Sequence, residues 1–252
     1  MNSGINTKGL ELLDNQPSVG SLSATDPFDS EELKRFLEHS KNIQDSEITG
    51  SKAFPGEMLN PYSENVLLSQ EMQDLMVNYY NATYESLEFW KPFGEGSEDS
   101  IVIQVKINKY GRCRIGSEIF GSTFSPRHSK NSYVTAKFVT QDDIVDCYPG
   151  ELQFFFTHEV NLNDNNLVKH HLAFIRWYKP TKNRYHFSID DADQTCNVEL
   201  WDTEFYLISR DCIIPIHHIF CCFIPAKYQI STCQNAKEYL AVNLINRKYN
   251  LR

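Results

Sequence analysis

Between Gly150 and Ser231 the chain runs through four blocks, GELQFFFTHEV, HHLAFIRWYKP, NVELWDTEFYLIS and CIIPIHHIFCCFIPAKYQIS. They hold Trp177 and Trp201 and a dense set of β-branched and aromatic side chains. Branching at Cβ and aromatic rings cost rotamer freedom in a helix and pack well on a pleated, half-buried surface. Polar turns, NLNDNN and DDADQ, separate the blocks. Strands at intervals of roughly ten residues with turn signals between them predict a mainly β fold, a sandwich or a small closed barrel.

The same reading extends on both sides of this stretch. Ile101, Ile103, Val105 and Ile107 alternate with Val102, Gln104, Lys106 and Asn108, the period of a half-buried strand. Tyr110-Gly111 predicts a turn, and a second turn at Gly116-Ser117 predicts a hairpin. Further strands are expected over 132–140, 151–160, 168–178, 185–189, 197–201, 205–209 and 212–223, the last interrupted by Pro215, which belongs at a strand edge or bulge. AKEYLAVNLINRKY supplies a final strand or edge segment.

Upstream, Asn60-Pro61 is a favourable helix start, because proline at the first helical position has no orphan N–H to satisfy. Leu68, Met72, Leu75, Met76, Tyr79 and Thr83 follow with helical period, so one amphipathic helix is expected over 60–90. Residues 1–59 are rich in Ser, Asn, Asp and Glu without sustained apolar period and are expected to form a disordered acidic arm. Within that arm Ser30 is a plausible cap for a short helix, with Glu31 and Glu32 at its positive end and Leu33, Phe36 and Leu37 on one face. KPFGEGSEDS, residues 91–100, reads as a linker, leaving 101–252 as the β domain.

Charge is distributed unevenly. Residues 1–100 carry six basic against eighteen acidic side chains, and residues 101–252 eighteen against fifteen. An acidic protein is a poor general ligand for phosphate backbones, yet the mildly basic β domain leaves local contacts open. Seven irregularly spaced cysteines and a start, MNSGINTKGL, without an apolar leader region predict reduced thiols in an intracellular protein, nuclear or cytoplasmic. The longest wholly apolar run, Ile219–Ile224, is far short of the roughly 20 residues that a helix needs to cross a bilayer, so no membrane contact is expected.

Cys212, His217, His218, Cys221 and Cys222 contain the right donors for zinc. On a strand, however, His217 and His218 point to opposite faces, and no knuckle glycine separates the thiols, so they are read as core and no metal site is predicted. His158, His170, His171 and His186 are read as partly exposed or hydrogen-bonded surface residues. The Asp190, Asp191, Asp193 turn lacks the glycine and glutamate of a calcium loop. No GxSxG elbow, phosphate loop or cysteine-protease context is present, so neither catalytic residues nor a cofactor are expected. Basic residues gather as Arg112 and Arg114; Arg127, His128 and Lys130; Lys179, Lys182 and Arg184; and Arg247, Lys248 and Arg252. Converging turns would make Arg112, Arg114, Arg127, Lys130, Lys179, Lys182 and Arg184 a contact patch for nucleic acid or another partner, with Tyr110, Tyr178 or Tyr185 for stacking.

YGRCRIGSEIFGS, YPGELQFFF, HLAFIRWYKP, YHFSIDD, NVELW, RDCIIPIHHI and FIPAKY occur in order between residues 110 and 228, within a resemblance that covers about residues 65–252. Together they resemble a β-rich module of large, mostly uncharacterised fungal protein families, abundant in arbuscular mycorrhizal fungi and associated with transposable-element-like proteins. The chain departs from that pattern at Phe220-Cys221-Cys222-Phe223, where related sequences tend to read Leu-Gly-Arg-Phe, and at Leu244, where they tend to have proline. The resemblance carries no catalytic motif. It implies a transposon-derived accessory domain, and its small-barrel shape is similar, on fold class alone, to bromo-adjacent-homology or Tudor-like chromatin readers. The expectation is a non-enzymatic interaction module for protein or chromatin. The alternatives are nucleic-acid binding through basic loops and, least favoured, a metal-dependent enzyme using the His and Cys cluster.

Overall fold

The computed structural model describes residues 50–51, 56–84, 86–94, 100–139, 145–162, 166–182, 186–187, 198–231 and 236–244. Its strands are β1 (Gly56–Leu67), β2 (Phe89–Trp90), β3 (Ile101–Val102), β4 (Lys106–Ile115), β5 (Glu118–Phe120), β6 (Tyr133–Val139), β7 (Val145–Leu162), β8 (Asn166–Pro180), β9 (His186–Phe187), β10 (Val198–Phe205), β11 (Ile213–Pro215), β12 (Ile219–Ser231) and β13 (Ala236–Leu244). One α-helix, α1 (Gln70–Thr83), follows β1. The expected mainly β body with one preceding helix is what forms.

Pairing closes a ring. β7 pairs with β6, β6 with β12, β12 with β13, β13 with β10, β10 with β8, and β8 again with β7, so six of the described strands form a barrel. The β7–β8 hairpin is longer than the ring needs. Its far end, around Thr157 and His171, pairs with β4, which pairs in turn with β1, while β11 adds to β8 on the other side.

Alternation along these strands feeds three apolar clusters. Val134, Ala136, Phe138, Leu152, Ile175 and Trp177 enter one, together with Phe155 from beyond a β7 bulge at Leu152/Phe154. Trp201, Phe223, Leu240, Val242 and Tyr178 enter a second. The third lies between α1 and the far end of the hairpin, where Met72, Met76, Tyr79 and Tyr80 meet Ile103, Phe156, Val160 and Leu172. Close approach needs glycine at Gly150, where an added Cβ would lie 2.6 Å from both Ile175 Cγ2 and Trp177 Cε3.

Several expectations are corrected. The helix begins at Gln70, capped by Ser69 accepting from Met72 N, and the stretch from Gly56 through Asn60-Pro61 to Leu67 is a strand, because β4 offers it an open edge. Residues 56–59 accordingly belong to the body, not to an arm, and Gly50 touches it too, its carbonyl accepting from His171 N at 2.7 Å; residues 1–49, including the Ser30–Leu37 island, and 52–55 lie outside the described residues. The chain passes straight through Tyr110-Gly111 within β4, since Pro61 packs over Gly111 and leaves no room for a side chain there. The alternating 101–107 segment is two strands, β3 pairing in parallel with β2 across the expected linker. Residues 206–209 are not strand, and Ile216–His218 is a 3-10 turn, so these two histidines do not alternate across a strand.

Candidate functional site

Burial along β4 sets Tyr110, Arg112 and Arg114 on its outer side, with Gly111 and Cys113 buried opposite. β1 places Tyr62 across from Tyr110, Leu59 across from Arg112 and Glu57 across from Arg114. The Tyr62 and Tyr110 rings lie 4.8 Å apart, tilted by 30°. Arg112 donates through Nε to the Asn60 carbonyl at 2.6 Å and through a terminal nitrogen to His128 Nε2 at 3.2 Å. Because guanidinium only donates, His128 accepts there.

His128 sits in the 3-10 turn Pro126–Asn131, which also carries the exposed Arg127 and Lys130. That turn is pinned to the β4–β5 hairpin: Gly121 N donates to Asn131 O at 3.0 Å, and a Cβ on Gly121 would lie 2.1 Å from the His128 carbonyl oxygen. Two of the expected basic groups therefore meet beside an aromatic pair. Arg114 faces Glu57 at 3.5 Å, a solvent-exposed pair that neutralises part of the charge. Lys179 lies at the end of β8, bonded to Glu204 at 2.9 Å, and Lys182 is exposed just beyond it. Arg184, Arg247, Lys248 and Arg252 lie outside the described residues.

A second surface is apolar. β12 pairs with β6 through residues 219–222 and with β13 through residues 223–231, and its Phe220, Ile224 and Tyr228 are 46%, 72% and 43% exposed. The alternate positions between them, Cys222 and Ala226, are also apolar. Ile224, Ala226 and Tyr228 thus give one side of β12 no charge of its own over about 13 Å, whereas Cys222 is half-buried against the core and a register shift between Ile219 and Cys221 interrupts the alternation before it. Lys137 Nζ lies 4.3 Å from the Phe220 ring centre, and Tyr239 stands opposite Tyr228.

Of the histidines expected at the surface, His158 and His170 are instead buried and His171 is half-buried, while the side chain of His186 lies outside the described residues. His158 and His170 face one another across β7 and β8, at 1% and 0% exposure, beneath α1. Tyr80 and Tyr84, one helical turn apart, reach them: Tyr80 Oη is 2.8 Å from His158 Nδ1 and Tyr84 Oη is 2.7 Å from His170 Nε2. His158 Nε2 donates to the Gln104 carbonyl at 2.9 Å, which leaves Nδ1 to accept from Tyr80. Burial is the main cause that lowers His158 to about 4 and His170 to about 3. The surface reading failed because it counted strand faces without the helix that covers one of them; Tyr80 and Tyr84 at i and i+4 were the available signal.

Cys212 and Cys221 are buried, and burial raises both thiols; it pushes Cys222 up to about 12. Cys221 Sγ lies 3.1 Å from Thr135 Oγ1. Among the described residues no group of three His, Cys, Asp or Glu side chains is placed to hold a metal ion. No described helix is long and apolar enough to cross a membrane. No family model, curated protein or solved structure matches this chain.

Proposed function

We propose that the protein is a non-enzymatic interaction module that takes a protein partner on the outer face of β12. The observation supporting this reading is the set of apolar residues Phe220, Ile224 and Tyr228, left exposed on a strand that pairs with β6 in its first part and with β13 in the rest. Contiguous apolar surface of this kind is disfavoured on a protein that meets only water. Its place on a rigid ring means that little order is lost on binding. The resemblance to transposon-associated fungal modules fits an accessory domain with this role. Ile224→Glu combined with Tyr228→Glu is expected to release proteins that co-purify with the full-length chain while leaving its near-ultraviolet circular dichroism unchanged. An identical set retained by the folded variant would refute the reading.

A second reading, contact with nucleic acid, is favoured by the Arg112–His128 contact that gathers Arg112, Arg127 and Lys130 beside Tyr62 and Tyr110. Rings supply sequence-tolerant stacking and the cations supply phosphate contacts. On single-stranded DNA, replacing the three cations by alanine is expected to reduce the slope of log affinity against log salt by about 2. Failure of the unaltered chain to bind at low salt eliminates this reading.

A further inference from the structure

We infer that a nucleic-acid phosphate bound between Arg112 and His128 is held together with a proton that His128 takes up from solvent, a control that rests on the nucleic-acid reading above. A terminal nitrogen of Arg112 donates to His128 Nε2 at 3.2 Å, so that ring nitrogen carries no hydrogen. A proton arriving at Nε2 points at a guanidinium, which has nothing to accept it with. The bond is then lost and two positive charges are left side by side. A phosphate oxygen between them accepts from both, and the repulsion becomes a charge-assisted bridge. Without the proton, His128 competes with the phosphate for the same N–H of Arg112.

The surroundings leave these charges without a counterion. Arg112 is half-buried, and the Asn60 carbonyl fixes its Nε at 2.6 Å, so the guanidinium is in place before a ligand arrives. Among the described residues no carboxylate pairs with Arg112, Arg127 or Lys130, whereas Arg114, Lys179, Lys227 and Lys237 each have one. The elements around the turn account for this. β4 sets Tyr110 and Arg114 on the same side as Arg112 and contains no carboxylate. β6 and β12, which pack on the turn, contain none either; their titratable side chains are Tyr133 and Lys137, and Cys221, Cys222, Lys227 and Tyr228. β5 holds Glu118 at its start, opposite Ile115, whereas the turn is pinned at Gly121 past its end. β1 holds Glu57, which faces Arg114, and Glu64, beside Tyr62. Tyr110 and Arg112 stand about 7 Å apart along one strand face, so a base stacked on the ring has its phosphate within reach of the guanidinium.

The test follows the fluorescence anisotropy of labelled oligothymidine, which gains or loses no proton between pH 6 and pH 8, with the full-length chain at constant ionic strength. Affinity is expected to rise by at least about fivefold from pH 8 to pH 6, the ceiling for one linked proton being about tenfold per pH unit. His128→Gln takes no proton and His128→Lys is charged throughout. Each is expected to bind equally at the two pH values, the lysine variant more tightly than the glutamine variant. Near-ultraviolet circular dichroism at pH 6 checks that all three proteins are folded. Equal affinity of the unaltered chain at pH 6 and pH 8 overturns the inference and leaves the nucleic-acid reading standing. A pH dependence kept by either variant assigns the proton to another group and overturns it as well, as does a glutamine variant that binds as tightly as the lysine one. Absence of binding by the unaltered chain at both pH values removes the inference and the nucleic-acid reading together.

Discussion

Burial beneath α1 favours the neutral form of His158 and His170, and Tyr80 and Tyr84 meet their ring nitrogens there. Each folded histidine takes its proton at a lower pH than the ordinary value of 6.5, His158 at about 4 and His170 at about 3. Between those values and 6.5 the unfolded chain binds more protons than the folded one. Stability is therefore full above pH 6.5 and is lost as the pH falls toward 4. For His158 alone the shift corresponds to roughly 3 kcal/mol, a large part of the margin of an ordinary domain. Urea midpoints measured from pH 7.5 to pH 4.5 are expected to fall steeply. His158→Gln with His170→Gln should flatten that dependence even if it lowers stability at neutral pH. A pH profile identical in the two proteins would show that the loss comes from other groups.

Element by element, the chain announces its pattern more clearly than its limits. The helical stripe from Leu68 to Thr83 is legible because its apolar positions repeat at 3.6, and it becomes α1. Its start was misread because Asn60-Pro61 satisfies a local rule while β4, distant in sequence, determines the outcome by pairing with Gly56–Leu67. The true start is Ser69, whose hydroxyl accepts from Met72 N at 3.3 Å. Ser69→Ala is expected to cost about 1 kcal/mol and Ser69→Gly only a few tenths, read from denaturant midpoints. The basic groups were visible as composition, but whether they meet is a question of register. Arg112 and His128 join because the Pro126–Asn131 turn folds back on β4, whereas Lys179 belongs to the opposite end of a fifteen-residue strand.

At the scale of the molecule, the boundary expected at residue 101 does not coincide with a boundary in the core. Met72, Met76, Tyr79 and Tyr80 share one buried cluster with Ile101, Ile103, Phe156 and Leu172. A fragment beginning at 101 would expose that cluster and unpair β4 from β1. Thermal melting is expected to show that 101–252 lacks a cooperative transition, whereas 50–252 melts as one unit. A cooperative melt of the shorter fragment would separate the helix from the fold.

Closure of the ring also bears on how the molecule is made. β13, the last of the described strands, lies between β12 and β10 and bonds to both. On the ribosome, β10 and β12 wait with unsatisfied edges until Leu244 has left the exit tunnel. No shorter nascent chain can complete the barrel. Folding is then governed by contacts far apart in sequence, which makes it slow and leaves open strands exposed to other chains in the interval. The step at risk in the life of this protein is the delay before β13 arrives to close the ring.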